Sequence, residues 1–167
     1  MGHRIPNSNR VESDDIKPGA DLSGLDLSYS KLRDAELRGA DLREANLKCA
    51  DLREANLKDA DMREADMKEI DLREASLYKA DLREADLYKA DLREADLYKA
   101  DLSEADPYEA DIREADLTGV DLTDATLWEA NLSESDLHKA HLRDANLSGV
   151  KLTGANFDES EIPDEVL

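Results

Sequence analysis

The chain has 167 residues, and 42 acidic side chains against 22 basic ones give it a net charge of −20 at pH 7. A charge of this size repels phosphate, so direct binding of nucleic acid is not expected. The sequence has no apolar run long enough to span a membrane and no leader typical of a signal peptide, so we expect a cytoplasmic protein. Cys49 is the only cysteine, which excludes a disulfide within the chain.

Residues 1–19 precede the regular part of the sequence. They contain Pro6 and Pro18 and show no repeat. They are predicted to form an N-terminal segment followed by a cap, because the end of any stack of repeats exposes an apolar cross-section that something must cover.

Residues 20–162 repeat every five positions without an insertion or deletion. Numbering each pentad from one to five, the third position is Leu in 23 of 29 pentads and the first is Ala in 22 of 29. The second position is mostly Asp or Asn. The clearest departure is Pro107, which takes a Leu position and lacks the N–H that a ladder of β-bridges needs.

The spacing contradicts the helix-forming composition. On a helix, a step of five residues advances roughly 140°, so the leucines would never form a stripe. On a continuous strand, every second leucine would change face because five is odd. A short strand followed by a corner keeps the first and third positions inward, and repeated corners wind a coil whose neighbours must stack. A ten-residue unit between about 71 and 100 favours an even number of sides, and four sides leave an interior that Leu and Ala can fill.

The repeated Ala-(Asp/Asn)-Leu-X-X pattern resembles the pentapeptide-repeat proteins. The resemblance implies an all-β fold, a right-handed quadrilateral parallel β-helix with four pentads in each of about seven coils. Glu165 would fall on an inward column, so the helix is predicted to end near residue 162 and residues 163–167 to form a C-terminal tail. Val166 and Leu167 either fold onto the last coil or join a second copy end to end. Relatives that pair through their C-terminal segments suggest the second arrangement, a homodimer.

Acidic residues concentrate on one predicted side. Four-sided winding places residues twenty apart on one side, and the side that begins with the Leu22 pentad has the largest net negative charge. Its excess lies toward the C-terminal half, where the candidate partner-binding residues are Asp101, Glu104, Asp121 and Asp124. Aromatic side chains form columns as well: Tyr88, Tyr108 and Trp128 on one side, and Tyr78 and Tyr98 on the opposite one.

Motifs for chemistry are nearly absent, so no catalytic residue, cofactor or metal ligand is assigned. His138 and His141 are interpreted as solvated, and the columns of Asp lack the glycine-rich turns that repeat-borne calcium sites use. An enzyme is therefore not expected.

The expected function is binding of a protein partner along an outer side. Seven coils make a rod about 34 Å long, over which DNA would carry roughly 20 charges, close to the charge of this chain. The resemblance implies a specific form of this hypothesis, because pentapeptide-repeat proteins of the quinolone-resistance group are DNA mimics that bind DNA gyrase. Their activity often depends on loops that interrupt the helix, and this chain has none. The alternative is a structural or scaffold protein that binds its partner through the aromatic columns.

Overall fold

The computed structural model describes residues 13–162, which wind into a right-handed, four-sided parallel β-helix. Second-position residues form parallel bridges with the residues twenty positions later, from Asp21 with Asp41 to His141 with Glu161, at every pair except Asp106 with Thr126. The bridges are isolated because each side is extended for too few residues to form a longer strand before the chain turns. The predicted fold is thus confirmed, with twenty residues per coil.

The helix has four sides, which we number by their opening pentads. The first side begins with the pentad centred on Leu22, the second with Leu27, the third with Leu32 and the fourth with Leu37; the first lies opposite the third. All third positions from 27 to 142, and all first positions from 30 to 140, are buried. The interior is therefore a continuous column of Leu and Ala.

A pentad with Asp or Asn at its second position can satisfy all five of its backbone N–H groups, which explains why these residues predominate there. Three N–H groups bond to neighbouring coils, one closes the turn onto the third-position carbonyl, and the second-position side chain accepts the fourth. The donors and acceptors of one pentad are Asp96 N to Ala75 O (3.0 Å), Leu97 N to Asp116 O (2.8 Å), Tyr98 N to Asp96 Oδ1 (3.1 Å), Lys99 N to Thr118 O (3.0 Å) and Ala100 N to Leu97 O (2.9 Å). The Asp columns are therefore part of the fold itself.

The fifth position of each pentad lies in the left-handed region up to residue 159. From Gly19 to Glu159 its φ angle lies between +54° and +75°, as the third residue of a tight turn requires. The sequence carries a signal for this conformation that our prediction missed. Six of the seven glycines occupy the fifth position, and no Val, Ile or Thr does.

Pro107 is accommodated with the loss of one ladder bond. Its ring nitrogen cannot donate to the Thr126 carbonyl, and the bridge between Asp106 and Thr126 is missing from an otherwise regular column. The flanking bonds, Thr126 N to Ala105 O at 2.9 Å and Glu109 N to Trp128 O at 3.0 Å, remain. The defect is thus confined to one donor.

Replacing Pro107 with Leu is expected to raise the melting temperature. The new N–H supplies the missing donor, and Leu restores the residue of the neighbouring third positions. The regained hydrogen bond corresponds to about 1 kcal/mol of unfolding free energy. Thermal unfolding followed by circular dichroism measures the change, with Leu87→Pro on the coil before as the reverse control. A clear drop in the melting temperature of Pro107→Leu would show that the backbone is shaped around the proline.

The two ends of the described region differ. At the start, a 3-10 helix at Ser13–Asp15 leads to Ile16, which is buried against the first coil, and the ladder begins at Gly19 N, 2.9 Å from Arg38 O. At the other end, inward side chains from Ala145 onward are only partly buried. Residues 1–12 and 163–167, including Val166 and Leu167 and most of the predicted N-terminal segment, lie outside the described residues.

Within residues 13–162 we find no helix with the length and hydropathy that a membrane crossing needs.

Candidate functional site

Two ladders of arginine and aspartate cover opposite sides of the rod. A fourth-position arginine binds the aspartate of its own pentad and also faces the aspartate of the next coil. On the first side, Arg63 Nη2 lies 2.7 Å from Asp61 Oδ2, and its Nε lies 3.5 Å from Asp81 Oδ2. The other arginines that pair with the second-position aspartate of their own pentad are Arg43 and Arg83 on the first side and Arg53, Arg73, Arg93 and Arg113 on the third. Along these ladders most of the aspartate charge is locally compensated.

The ladder arginines change the acidity of the aspartates. The side-chain hydrogen bond from arginine holds the pKa of Asp41, Asp51 and Asp61 below its usual value. Asp106 lies on the second side, where its pentad has no arginine, and burial raises its pKa. The aspartate columns are therefore not chemically uniform.

We expect stability to be greatest at mildly acidic pH, above the isoelectric point of about 4.4, and to fall as the pH passes below that value. Protonation reduces the repulsion within the net −20 charge as the pH falls toward that value. It also removes the desolvation cost that burial imposes on the charged Asp106 carboxylate. Asp41, Asp51 and Asp61 act in the opposite sense. Their lowered pKa values contribute stability above the unfolded value of about 4, and this contribution is lost as the pH falls through the folded values. Melting temperatures between pH 2 and 7 test the profile.

The matched variant for this test is the triple replacement of Asp41, Asp51 and Asp61 by Asn. Asn keeps the oxygen that accepts the turn N–H, as Asn46 does at 3.1 Å from Lys48 N, but it does not titrate. Its melting temperature should decline less steeply at acid pH. If the melting temperature of the triple variant declined at acid pH as steeply as that of the unmodified protein, the three aspartates would not be the source of the decline.

The first-side ladder ends at Asp101. Arg83 Nε is 3.6 Å from Asp101 Oδ2, but the fourth position of the next pentad is Ser103, whose hydroxyl donates to Asp101 Oδ1 at 2.6 Å. One coil later Thr123 replaces arginine, and its N–H donates to Asp121 Oδ1 at 2.9 Å. No carboxylate of the first side from Asp101 to Asp124 has an arginine partner in its own pentad. The next arginine on this side is Arg143.

The structure places the four predicted residues on adjacent coils of this side. Asp101 and Asp121 pair directly in the ladder. Glu104 and Asp124 occupy the exposed fifth positions of the same two pentads, with φ of +60° and +59°, and make no ion pair with any residue from 13 to 162. The two aspartates also cap backbone N–H groups, a structural role that sequence reasoning did not assign to them.

The aromatic side chains stack as columns along the second and fourth sides. On the second side the ring centroids of Tyr88 and Tyr108 are 5.2 Å apart, and those of Tyr108 and Trp128 are 5.0 Å apart. On the fourth side Tyr78 and Tyr98 stack at 5.6 Å with an interplanar angle of 6°. A hydrogen bond to Glu109 raises the pKa of Tyr108 to about 12. Trp128 ends its column and is 45% exposed.

The structure does not bring the two histidines together in a site. His138 lies on the fourth side, and His141 lies on the first with its Nδ1 3.3 Å from Glu161 Oε2. Between residues 13 and 162 there is no group of three or more His, Cys, Asp or Glu side chains arranged to hold a metal ion.

Comparisons with known proteins agree with this geometry. A family model described as pentapeptide repeats matches residues 20–59, 55–93, 90–128 and 121–158. No curated protein sequence matches the chain.

Two solved structures illustrate the similarity. A trypsin-treated variant of QnrB1, a plasmid-mediated fluoroquinolone resistance protein, superimposes with a TM-score of 0.71 at 21% identity, covering 89% of this chain and 74% of QnrB1. HetL, a pentapeptide repeat protein involved in heterocyst differentiation regulation in the cyanobacterium Nostoc sp. strain PCC 7120, is 34% identical, with a TM-score of 0.49 and coverage of 84% of this chain and 73% of HetL. The likeness to QnrB1 shows the fold.

Proposed function

Because this chain belongs to the pentapeptide repeat family, we propose that it is a non-enzymatic, acidic rod that binds a protein partner along an outer side. In its most specific form, the proposal is that the first side imitates DNA and binds DNA gyrase or another DNA-binding protein. The proposed contact residues are Asp101, Glu104, Asp121 and Asp124.

The end of the first-side ladder is the observation that carries the proposal. On this side, arginine of the same pentad compensates Asp41, Asp61 and Asp81 at 2.5–2.7 Å. Beyond Asp101 that compensation stops, although the repeat and the backbone continue unchanged. Carboxylates on successive coils then project from a rigid scaffold without cations of their own, and a basic protein surface supplies the missing charge.

The shape of the rod supports the DNA-mimic form. Bridged coils are about 4.8 Å apart, so the seven coils extend about 34 Å. Duplex DNA of that length carries roughly 20 phosphate charges, and the net charge of the whole chain is −20. Rigidity adds to this match, because an interface built on a continuous ladder loses little conformational entropy on binding.

The second candidate is a scaffold that binds through its aromatic columns. The exposure of Trp128, 45% for a large aromatic side chain, favours it. The two candidates differ in their response to salt, because charge-driven contacts weaken steeply as ionic strength rises and aromatic contacts do not.

The test is a gyrase supercoiling assay, with quinolone protection as a second readout. If the first side imitates DNA, the protein inhibits supercoiling at low salt, and inhibition weakens as salt is raised to physiological values and beyond. A pull-down from cell extract at the same salt concentrations extends the test to other partners. Inhibition that is absent for the folded protein would reject gyrase as the partner, and capture that is insensitive to salt would favour the aromatic columns.

We also propose a homodimer joined at the C-terminal ends, with the cytoplasm as its compartment. Leu147, Leu152 and Phe157 pack on the core but remain partly exposed. Their N–H groups have no backbone acceptor among residues 13–162. A second copy would cover this apolar end, and sedimentation equilibrium measures the resulting mass.

A further inference from the structure

Trp128 lies at the open end of the second-side aromatic column. Its indole stacks on Tyr108 with an interplanar angle of 12°. On its other side, the next coil places Ser148 at the equivalent position and Gly149 beside it. Tyr108 is the only aromatic ring in contact with it among residues 13–162, so one face of the indole has no ring stacked on it.

Other aromatic rings of the rod carry a cation from their own pentad. In the three Tyr-Lys pairs, the lysine Nζ lies over the ring of the preceding tyrosine: Lys79 at 5.2 Å from the Tyr78 centroid, Lys89 at 4.9 Å from Tyr88 and Lys99 at 5.2 Å from Tyr98. These are cation–π contacts. Cationic side chains are thus the groups that lie over these rings within the chain.

Trp128 has no lysine of its own pentad over its ring, because the residue that follows it is Glu129. Glu109, which follows Tyr108, has a cation from the coil before, since Lys89 Nζ lies 3.2 Å from its Oε2. Glu129 follows Trp128 and makes no ion pair with a residue between 13 and 162, and the same position on the next coil is Gly149. Trp128 and Glu129 therefore combine the ring most favourable for a cation with an uncompensated carboxylate.

We propose that Trp128 and Glu129 bind an arginine side chain of a protein partner. A guanidinium is planar and stacks on the free face of the indole, while its N–H groups donate to the Glu129 carboxylate beside it. Lysine offers the charge without the planar stack. This surface lies on the second side, apart from the carboxylates proposed to bind gyrase, and its test does not involve gyrase.

The experiment uses two labelled peptides of equal charge, one with arginine and one with lysine between glycines, at physiological salt. Trp128 is the only tryptophan, so its emission reports binding directly. We expect the arginine peptide to change the emission saturably and to bind about two- to fivefold more tightly than the lysine peptide. Equal affinity for the two peptides would overturn the proposal, because it would indicate general attraction to the net charge.

Variants locate the contact through the anisotropy of the labelled arginine peptide. Trp128→Leu and Glu129→Gln should each weaken binding by about two- to fivefold. The controls are Tyr98→Leu, at the fourth position on the opposite side, and Glu69→Gln, at the same fifth position three coils earlier. The proposal would be overturned if variants and controls lost equal affinity for the arginine peptide, or if neither Trp128→Leu nor Glu129→Gln lost affinity.

Discussion

Replacing Leu92 with Lys is expected to unfold the central coils. Leu92 is fully buried at a third position on the third side, between Leu72 and Ile112 of the adjacent coils. No carboxylate among residues 13–162 is buried, so the new ammonium would have no partner inside the rod. A buried, unpaired charge costs several kcal/mol, and we expect a loss of at least about 4 kcal/mol of unfolding free energy.

Two controls separate charge from position. Leu92→Met keeps an apolar side chain of similar volume, as Met62 and Met67 show at equivalent positions, and should cost less than about 1.5 kcal/mol. Glu94→Lys introduces the same lysine two residues away, at an exposed position, and should leave stability nearly unchanged. Far-UV circular dichroism during urea unfolding measures all three. A folded, cooperatively melting Leu92→Lys protein would contradict the inward orientation of the third column.

Removing the carboxylates of the first side is expected to abolish gyrase inhibition. The variant combines Asp101→Asn and Asp121→Asn with Glu104→Lys and Asp124→Lys. Asn is chosen at the second positions because each aspartate there caps the N–H of the fourth residue, which lysine would leave without an acceptor. Lysine is tolerated at the fifth position, as Lys79, Lys89 and Lys99 show with φ of +55° to +56°.

The matched control carries the same charge change on the opposite side. It combines Asp71→Asn, Asp91→Asn, Glu94→Lys and Glu114→Lys, which occupy the same pentad positions on the third side. If the first side imitates DNA, the first variant loses inhibition in the supercoiling assay while the control keeps most of it. Equal loss in both would mean that only the net charge of the rod matters. Full inhibition by the first variant would reject these four residues as the contact.

The αL backbone and the Asp caps show where sequence reasoning was incomplete. The glycines at one pentad position pointed to positive φ, but their number is small beside the glutamates and lysines that take the same conformation. The second-position aspartates looked like a column of surface charge. In the structure, one carboxylate oxygen of each such aspartate, as in Asp81 and Asp96, accepts the backbone N–H two residues later. Both features depend on how the corner is closed, which the periodicity alone does not specify.

The five-residue period is enough to specify the coil. A period of five is incompatible with the period of a helix or of a flat strand, so the apolar columns can be buried only by turning at every pentad. The same register predicted which residues share a side, and the bridges between residues twenty apart confirm it. Which carboxylates are compensated depends also on contacts between coils. Asp81 and Asp101 take the same second position in their pentads, but Asp81 is bound by Arg83 of its own pentad and by Arg63, whereas Asp101 is approached only by Arg83 of the coil before. The contacts of Arg63 with Asp81 and of Arg83 with Asp101 arise between coils, from residues that are neighbours only because the chain has closed a full turn.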